Sequence, residues 1–271
     1  MTLPVSGTIS LNDVNVELGN SPTALIDIGG AEVRTLFGVA SGAISMSDGY
    51  GKSDIIKLTS SGTLYNLNLF TAFGSPTVAG NYEWTNNGDI RSSTGTWAVL
   101  TGTFPVGSTL TIINNGYIRG RGGNGGNDGL TGSAGKIALY MQYPMTLYNA
   151  GGYIYGGGGG GGGCVRSGKI PHTTCGGGGG GSNAGAGGIG DTNGSAGTLI
   201  SGGAGGTYSS GGVDVGGTGG GVGANGGTGI SGTGTDPVYA GGAAGRAIFK
   251  NGLVLTILSG NDTTHIKGPV S

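Results

Sequence analysis

The sequence predicts a mainly β, partly irregular chain in three parts: a small N-terminal helical attachment module (residues 1–53), a β-strand-rich connecting domain (54–119), and a glycine-rich domain (120–271) built as a polyglycine II helix sandwich flanked by β-hairpins. Three observations carry this. Glycine recurs at every third position through much of the last part. Short apolar strands repeat on both sides of the glycine field. Helical spacing is confined to the first 53 residues.

Of the 70 glycines, 51 lie between Gly120 and Gly245. Gly120, Gly123, Gly126, Gly129, Gly132 and Gly135 keep a period of three, as do Gly217, Gly220, Gly223, Gly226, Gly229 and Gly232. The runs Gly156–Gly163 and Gly176–Gly181 satisfy any period. Three residues per turn is the repeat of the polyproline II helix, which rises ~3.1 Å per residue and makes no hydrogen bonds within itself, so the eight-residue run would be ~25 Å long. If buried, its outward-pointing N–H and C=O groups need partners on neighbouring chains. Only glycine lets backbones approach that closely on every side.

Such a composition also suits a flexible or disordered segment, and glycine loses the most backbone entropy on ordering. Three features oppose that reading. The field carries almost no charge, it lacks Ser/Gly monotony, and β-like segments flank it. A collagen triple helix is disfavoured because neither triplet run contains proline.

Residues 1–53 differ from the rest. Ser10 can cap a helix running to Leu18, with Asp13 three residues on. A second helix beginning near Gly30 would bury Val33, Leu36 and Phe37 on one face. A third is expected from Ser41. So few apolar side chains make a marginal module alone, which points to docking on a partner or a second copy.

From Ile55 to Gly116 apolar and polar residues alternate, as in strands of a small sheet or solenoid. NNGDIR (86–91) returns 28 residues later as NNGYIRG (114–120), and NAGGYIYG (149–156) and NDTTHIKG (261–268) are looser copies. Asn-Gly favours positive φ and tight antiparallel turns, with the isoleucine pointing into a core. The strands LTII (110–113), MTLY (145–148) and LVLTIL (253–258) precede three of these turns, and AGKIALY (134–140) matches AGRAIFK (244–250). Residues 134–156 and 244–268 therefore read as two versions of one hairpin unit, with 157–243 inserted between them as a folded lobe.

Composition excludes several functions. Hydrophobic residues make up 35%, charged residues 9%, and the net charge is −1. With no basic patch, nucleic acid is not a partner. No apolar run reaches the ~20 residues of a membrane span. The start, MTLPVSGTIS, has no signal-peptide pattern, which implies synthesis in the cytosol. His172 and His265 have no carboxylate at a telling spacing. Asp128, Asp191, Asp214 and Asp236 each stand alone, against paired-carboxylate hydrolysis. Cys164, His172 and Cys175 match no zinc pattern. A Cys164–Cys175 disulfide suits these cysteines better, and the reduced form remains open because a reducing cytosol opposes the bond. The expectation is a protein without enzymatic activity, metal or cofactor.

Short segments break the glycine tracts. They are CVRSGKIPHTTC (164–175), DTN (191–193), TLIS (198–201), TYSSGGVDV (207–215) and TGTDPVY (233–239). If the tracts are rods, these are connections at rod ends, and adjacent antiparallel rods connect at alternate ends. The candidate binding residues are Val165, Arg166, Lys169, Ile170, Pro171 and His172, then Tyr208, Val213, Asp214 and Val215, then Asp236, Pro237 and Tyr239. Tyrosine and arginine are favoured at binding hot spots, although Tyr208 and Tyr239 can equally cap the rods.

The glycine tracts entered through NNGYIRGRGGNGG (114–126), the flanking strand repeats and the closing IKG resemble the tail-fibre tip adhesins of T-even-like bacteriophages. The resemblance covers roughly 100–271. It implies a polyglycine II sandwich whose end loops recognise an outer-membrane protein or other surface receptor of a Gram-negative host, at a tail-fibre tip of the virion. ISLNDVNVELG (9–19) and SGAISMSDGYGKS (41–53) are similar to the start of other phage tail and fibre proteins, which implies that residues 1–53 attach to such a protein. A structural fibre or assembly protein without receptor contact is the second reading. An ice-binding protein is a third, disfavoured because Arg166, Lys169 and Asp214 interrupt any flat regular face.

Overall fold

The chain begins helical for local reasons. Helix α1 (Leu11–Glu17) follows Ser10, whose hydroxyl accepts from the Asp13 N–H at 3.2 Å while the Asp13 carboxylate accepts from the Ser10 N–H at 2.8 Å. This is a capping box with aspartate in place of the usual glutamate. Helix α2 (Ala31–Phe37) buries Val33, Leu36 and Phe37, as its spacing predicts, and stops at Gly38, whose φ of 73° is left-handed. The third predicted helix does not form from Ser41. Gly42 adopts a φ of +88°, which ends any helical run there, and a 3-10 turn over Met46–Gly49 follows, capped by Ser45. A Cβ on Gly49 would stand 2.7 Å from the Phe37 ring.

The structure, a computed structural model, describes residues 3–93, 95–127, 129–165, 174–175, 185–209, 213–230, 237 and 239–271. Two compact units emerge. The first is Met1–Lys57 with Val78–Glu83 and Pro105–Thr109; the second is Leu58–Thr77, Trp84–Phe104 and Leu110–Ser271. The first has its own core of Leu3, Ile9, Val14, Val33, Leu36 and Phe37.

Beyond residue 54 the strands are β1 (Ile55–Ser60), β2 (Thr63–Tyr65), β3 (Leu67–Asn68), β4 (Asn81–Asn86), β5 (Asp89–Arg91), β6 (Trp97–Leu100), β7 (Thr109–Asn114), β8 (Tyr117–Arg119), β9 (Ile137–Tyr140), β10 (Met145–Tyr148), β11 (Tyr153–Tyr155), β12 (Cys164–Val165), β13 (Thr174–Cys175), β14 (Thr207–Ser209), β15 (Val213–Val215), β16 (Ile248–Phe249), β17 (Leu255–Ser259) and β18 (Ile266–Lys267). Fourteen of them form three sheets, in the orders β1-β4-β7-β10-β17, β18-β11-β8-β5-β2 and β16-β9-β6-β3. Each coil of chain gives one strand to each sheet in turn. The described pairings between successive coils are parallel. This is a parallel β-solenoid.

The repeat is therefore real, but its predicted hairpins are not. Strands β9, β10 and β11 do not fold back on one another. They stack in parallel with β16, β17 and β18, one coil on the next. The Asn-Gly pairs were misread for a physical reason. Neither Asn87 and Gly88 nor Asn115 and Gly116 has positive φ. A Cβ on Gly116 would lie 2.0 Å from the Gly88 carbonyl oxygen, and one on Gly88 would lie 2.2 Å from that of Gly62. Glycine is needed there for close stacking, not for a tight turn.

The isoleucines behave as predicted. Leu64, Ile90, Ile118, Ile154 and Ile266 face one another along one sheet, and Ile90, Ile118 and Ile154 are fully buried. Where the sequence reads as strand through Phe73, a single turn α3 (Leu69–Ala72) forms instead, started by Asn68, whose side chain accepts from the Thr71 N–H. It brings Phe70 and Phe73 edge-on to Phe104 at 5.6 and 5.9 Å.

The glycine tracts leave the solenoid twice at one corner, between β8 and β9 (120–136) and between β11 and β16 (156–247). The sequence reading recognised the second as an insertion, within a domain that also holds the first.

Candidate functional site

The site is organised around Gly156–Gly163, which is buried along its whole length. Its hydrogen bonds repeat every three residues. It accepts from Gly123 and Gly126 through Gly158 and Gly161 at 2.8 and 2.7 Å. It donates from Gly157, Gly160 and Gly163 to Lys136, Ser133 and Leu130 at 2.9 Å each. On other sides Gly159 and Gly162 donate to Ala224 and Gly227, while Gly217, Gly220, Gly223, Gly242 and Gly245 donate to it. A Cβ on any of the eight glycines would come within 2.3 Å of a backbone oxygen. Side chains are excluded here by backbone contact on every side, and the tract is held by its neighbours' hydrogen bonds rather than its own.

The direction of these bonds settles which connections share an end. Residues 120–127, 185–189, 202–206 and 224–230 run with 156–163, and 130–136, 194–197, 216–223 and 239–245 run against it. At the end remote from the solenoid stand the 127–130 turn, the antiparallel ribbon β12–β13, the 188–194 turn, the antiparallel ribbon β14–β15, and the chain entering at Ile230 and leaving at Tyr239. The Ile189 N–H donates to Asn127 Oδ1 at 2.9 Å. Val215 and Ile230 bridge each other at 2.9 and 2.7 Å. A Cβ on Gly129 would meet Val165 Cγ2 at 2.9 Å and the Tyr239 hydroxyl at 3.3 Å. The two ribbons pack side by side. Thr198–Ser201 belongs to the other end, where the Ile200 carbonyl accepts from the Val222 N–H and Gly156 donates to Lys267.

Among the predicted site residues, Val213 is 52% exposed and Pro237 is exposed. Val165, Tyr208, Val215 and Tyr239 are half-buried. Asp214 is 1% exposed, so it is enclosed rather than displayed. Arg166, Lys169, Ile170, Pro171, His172 and Asp236 lie outside the described residues. Cys164 is disulfide-bonded and stands in register with Cys175 across the β12–β13 ribbon.

The family model for the phage tail fibre adhesin Gp38 matches residues 54–270. The chain belongs to this family. The crystal structure of the gp37–gp38 adhesin tip complex of the bacteriophage S16 long tail fibre matches with a TM-score of 0.61 at 24% identity, covering 98% of this chain and 100% of that one; this likeness is one of fold. No protein of curated function matches.

Three residues of this adhesin's remote end escaped the sequence reading. Leu130, Ile189 and Ile230 are 57%, 67% and 61% exposed. Each is a lone large apolar residue embedded in glycine tract with no counterpart in the strand repeats, and that isolation was the available signal. His265 has the carboxylate partner that its sequence surroundings did not reveal. Its Nδ1 lies 2.7 Å from Asp262 Oδ2, and its ring stacks on Tyr153 at 5.5 Å. It closes the turn before β18 and ends a ladder in which Tyr153 stacks on Tyr117. The side-chain bond to His265, then the His265 and Thr264 N–H bonds, hold the Asp262 carboxyl below the ordinary carboxylate range. As a family, Gp38 proteins are adhesins rather than enzymes. Among the described residues no His, Cys, Asp or Glu cluster could hold a metal, and no helix is long and apolar enough to cross a membrane.

Proposed function

We propose that this adhesin reads a receptor on the outer membrane of a Gram-negative host, from the tip of a tail fibre, and does so without chemistry. The observation that carries the reading is the grouping of five connections at one end of a lobe whose central tract is wholly buried and hydrogen-bonded on all sides. The three-residue hydrogen-bond period supports packed polyglycine II helices as the lobe's architecture. Rigidity is the mechanism. Connections held still by cross-linked rods lose little ordering entropy when a receptor binds, and their sequences can change without disturbing the rods.

On this reading Val165, Tyr208, Val213, Val215, Pro237 and Tyr239 contribute to the reading end, with Arg166, Lys169, Ile170, Pro171, His172 and Asp236 in its connecting segments. Asp214, enclosed within the β14–β15 ribbon opposite Tyr208, supports the site rather than touching the receptor. A Cys164–Cys175 disulfide pins the neighbouring ribbon and forms after the virion leaves the reducing host cytoplasm where the chain is made. Residues 1–53 mount the adhesin on a tail-fibre or tail protein. The solved complex that shares the fold pairs a gp38 with a gp37, and a fibre partner of that kind fits the separate core of the first unit.

The test is adsorption of purified protein to host strains lacking individual outer-membrane proteins, repeated after residues 164–175 and 207–215 are exchanged for those of another family member. Loss of binding on one strain, and a changed strain preference after exchange, are expected. Unchanged preference after every exchange, with defective virion assembly instead, would favour a purely structural fibre protein.

A further inference from the structure

At the foot of the lobe, where β9 and β16 begin, lies an open groove of about 490 Å³. Its walls are the last residues of two glycine tracts, including Ala134 and Ala243, together with Thr96 and Ser271, and it is lined by two cations, Lys136 and Arg246. The repeat puts both there. Lys136 in AGKIALY and Arg246 in AGRAIFK hold the same place in the sequence repeat, while the parallel register of Leu139 with Ile248 offsets the stacked coils by one residue and sets Arg246 beside Ile137, next to Lys136.

Neither cation is in an ion pair among the described residues. The one polar side-chain contact of Arg246 is from its Nε to the Ser271 hydroxyl at 2.9 Å, and its guanidinium is held over the Phe249 ring at 4.5 Å. The backbone N–H groups of Ala134 and Ala243 have no acceptor among the described residues either. In a chain with only 9% charged residues, two cations without an ion pair among the described residues line the same side-chain-poor groove.

We infer that this groove binds a phosphorylated saccharide, with the phosphate held by Arg246 and Lys136 and the sugar laid against the alanine and glycine walls. Arginine and lysine are the side chains that hold phosphate, and the groove falls within the ~300–1,000 Å³ range of ligand sites and exceeds what a bare phosphate fills. It would give the adhesin a second contact, independent of the remote-end connections.

The test is calorimetric titration of the full-length protein with glucose 6-phosphate, inorganic phosphate and glucose. Glucose 6-phosphate should bind saturably, about fivefold or more weaker in each of Arg246→Gln and Lys136→Gln and weaker at higher salt. Inorganic phosphate should bind more weakly than the sugar phosphate, and glucose not at all. Val106→Glu, on the exposed connection between β6 and β7 and 96% exposed, should change nothing, and circular dichroism should show each variant folded. No saturable binding, salt-independent binding, or equal affinity in wild type and both cation variants would overturn the site. Equal affinity for inorganic phosphate would overturn the saccharide assignment, and loss of binding in Val106→Glu would overturn the location.

Discussion

Asn86 donates its side-chain N–H to the side-chain oxygen of Asn114 at 2.8 Å, with both residues fully buried. Asn114 passes the same bond to Asn149 at 2.7 Å, and Asn149 to the Gly260 carbonyl at 3.3 Å. One amide ladder thus runs up a corner of the solenoid, in which Asn114 and Asn149 each accept from the coil before and donate to the coil after, while Asn86 accepts from the Gly88 N–H of its own coil. Asn114→Ala orphans a donor on Asn86 and an acceptor on Asn149, so it should cost about 2–4 kcal/mol, at about 1–3 kcal/mol per buried group left unsatisfied. The side chain of the exposed neighbour Asn115 bonds only Asn87 among the described residues, and Asn115→Ala should stay within about 0.5 kcal/mol of wild type. Denaturant titration compares the two, and equal effects would refute the ladder's structural weight.

Gly160 admits no side chain. A Cβ there would stand 1.9 Å from the Asn124 carbonyl oxygen. Gly160→Ala should destabilise the lobe by more than about 4 kcal/mol, read as lost hydrogen-exchange protection across 156–163. Ala204, exposed in an outer tract, should accept serine with little change. Protection of the central tract that survives Gly160→Ala would mean the tract is not packed as described.

The two ends of the lobe give a directional test of receptor reading. Val213 and Ile230 are exposed at the remote end, and Ile200 is 64% exposed at the other. Val213→Arg and Ile230→Arg should each lower adsorption about tenfold or more, which is about 1.4 kcal/mol, without changing melting temperature. Ile200→Arg should adsorb like wild type. The reverse ranking would place receptor contact at the wrong end.

A disulfide closing the ten residues between Cys164 and Cys175 should contribute about 3 kcal/mol by the loop-entropy estimate. Cys164→Ser should therefore speed exchange in the β12–β13 ribbon and leave 156–163 protected. Oxidised wild type should show the slow pattern and reduced wild type the fast one. If reduction opens the central tract as well, the bond supports the whole lobe and not only its end.

Acid should weaken the last coil. The Asp262 carboxyl titrates below its ordinary value because of its bonds to His265 and Thr264. A depressed folded pKa contributes stability that is complete above the unfolded pKa of about 3.9 and disappears as pH falls through the lower folded value. Melting temperature against pH should therefore fall less steeply below about pH 4 in Asp262→Asn than in wild type. Parallel acid limbs would show that the pair contributes nothing to stability.

Much of this was legible in one dimension. Ser10 with Asp13, and the spacing of Val33, Leu36 and Phe37, announce two helices, because capping and amphipathic period are local. The 28-residue return of NNG and its isoleucine announces a repeat. The triplet glycines announce backbone packed against backbone, because no other residue leaves the room. What the residues could not announce was direction. Parallel and antiparallel stacking use the same alternation of Leu64, Ile90 and Ile118, and an Asn-Gly pair serves a hairpin or a crowded solenoid corner equally well. Only the stacked coils show that Gly116 is pressed against Gly88. Likewise the order of connections along the chain says nothing of which ones meet. Val165, Ile189, Ile230 and Tyr239 come together, and Ile200 is sent to the opposite end, because the sense of each tract is set by hydrogen bonds to a neighbour far away in sequence.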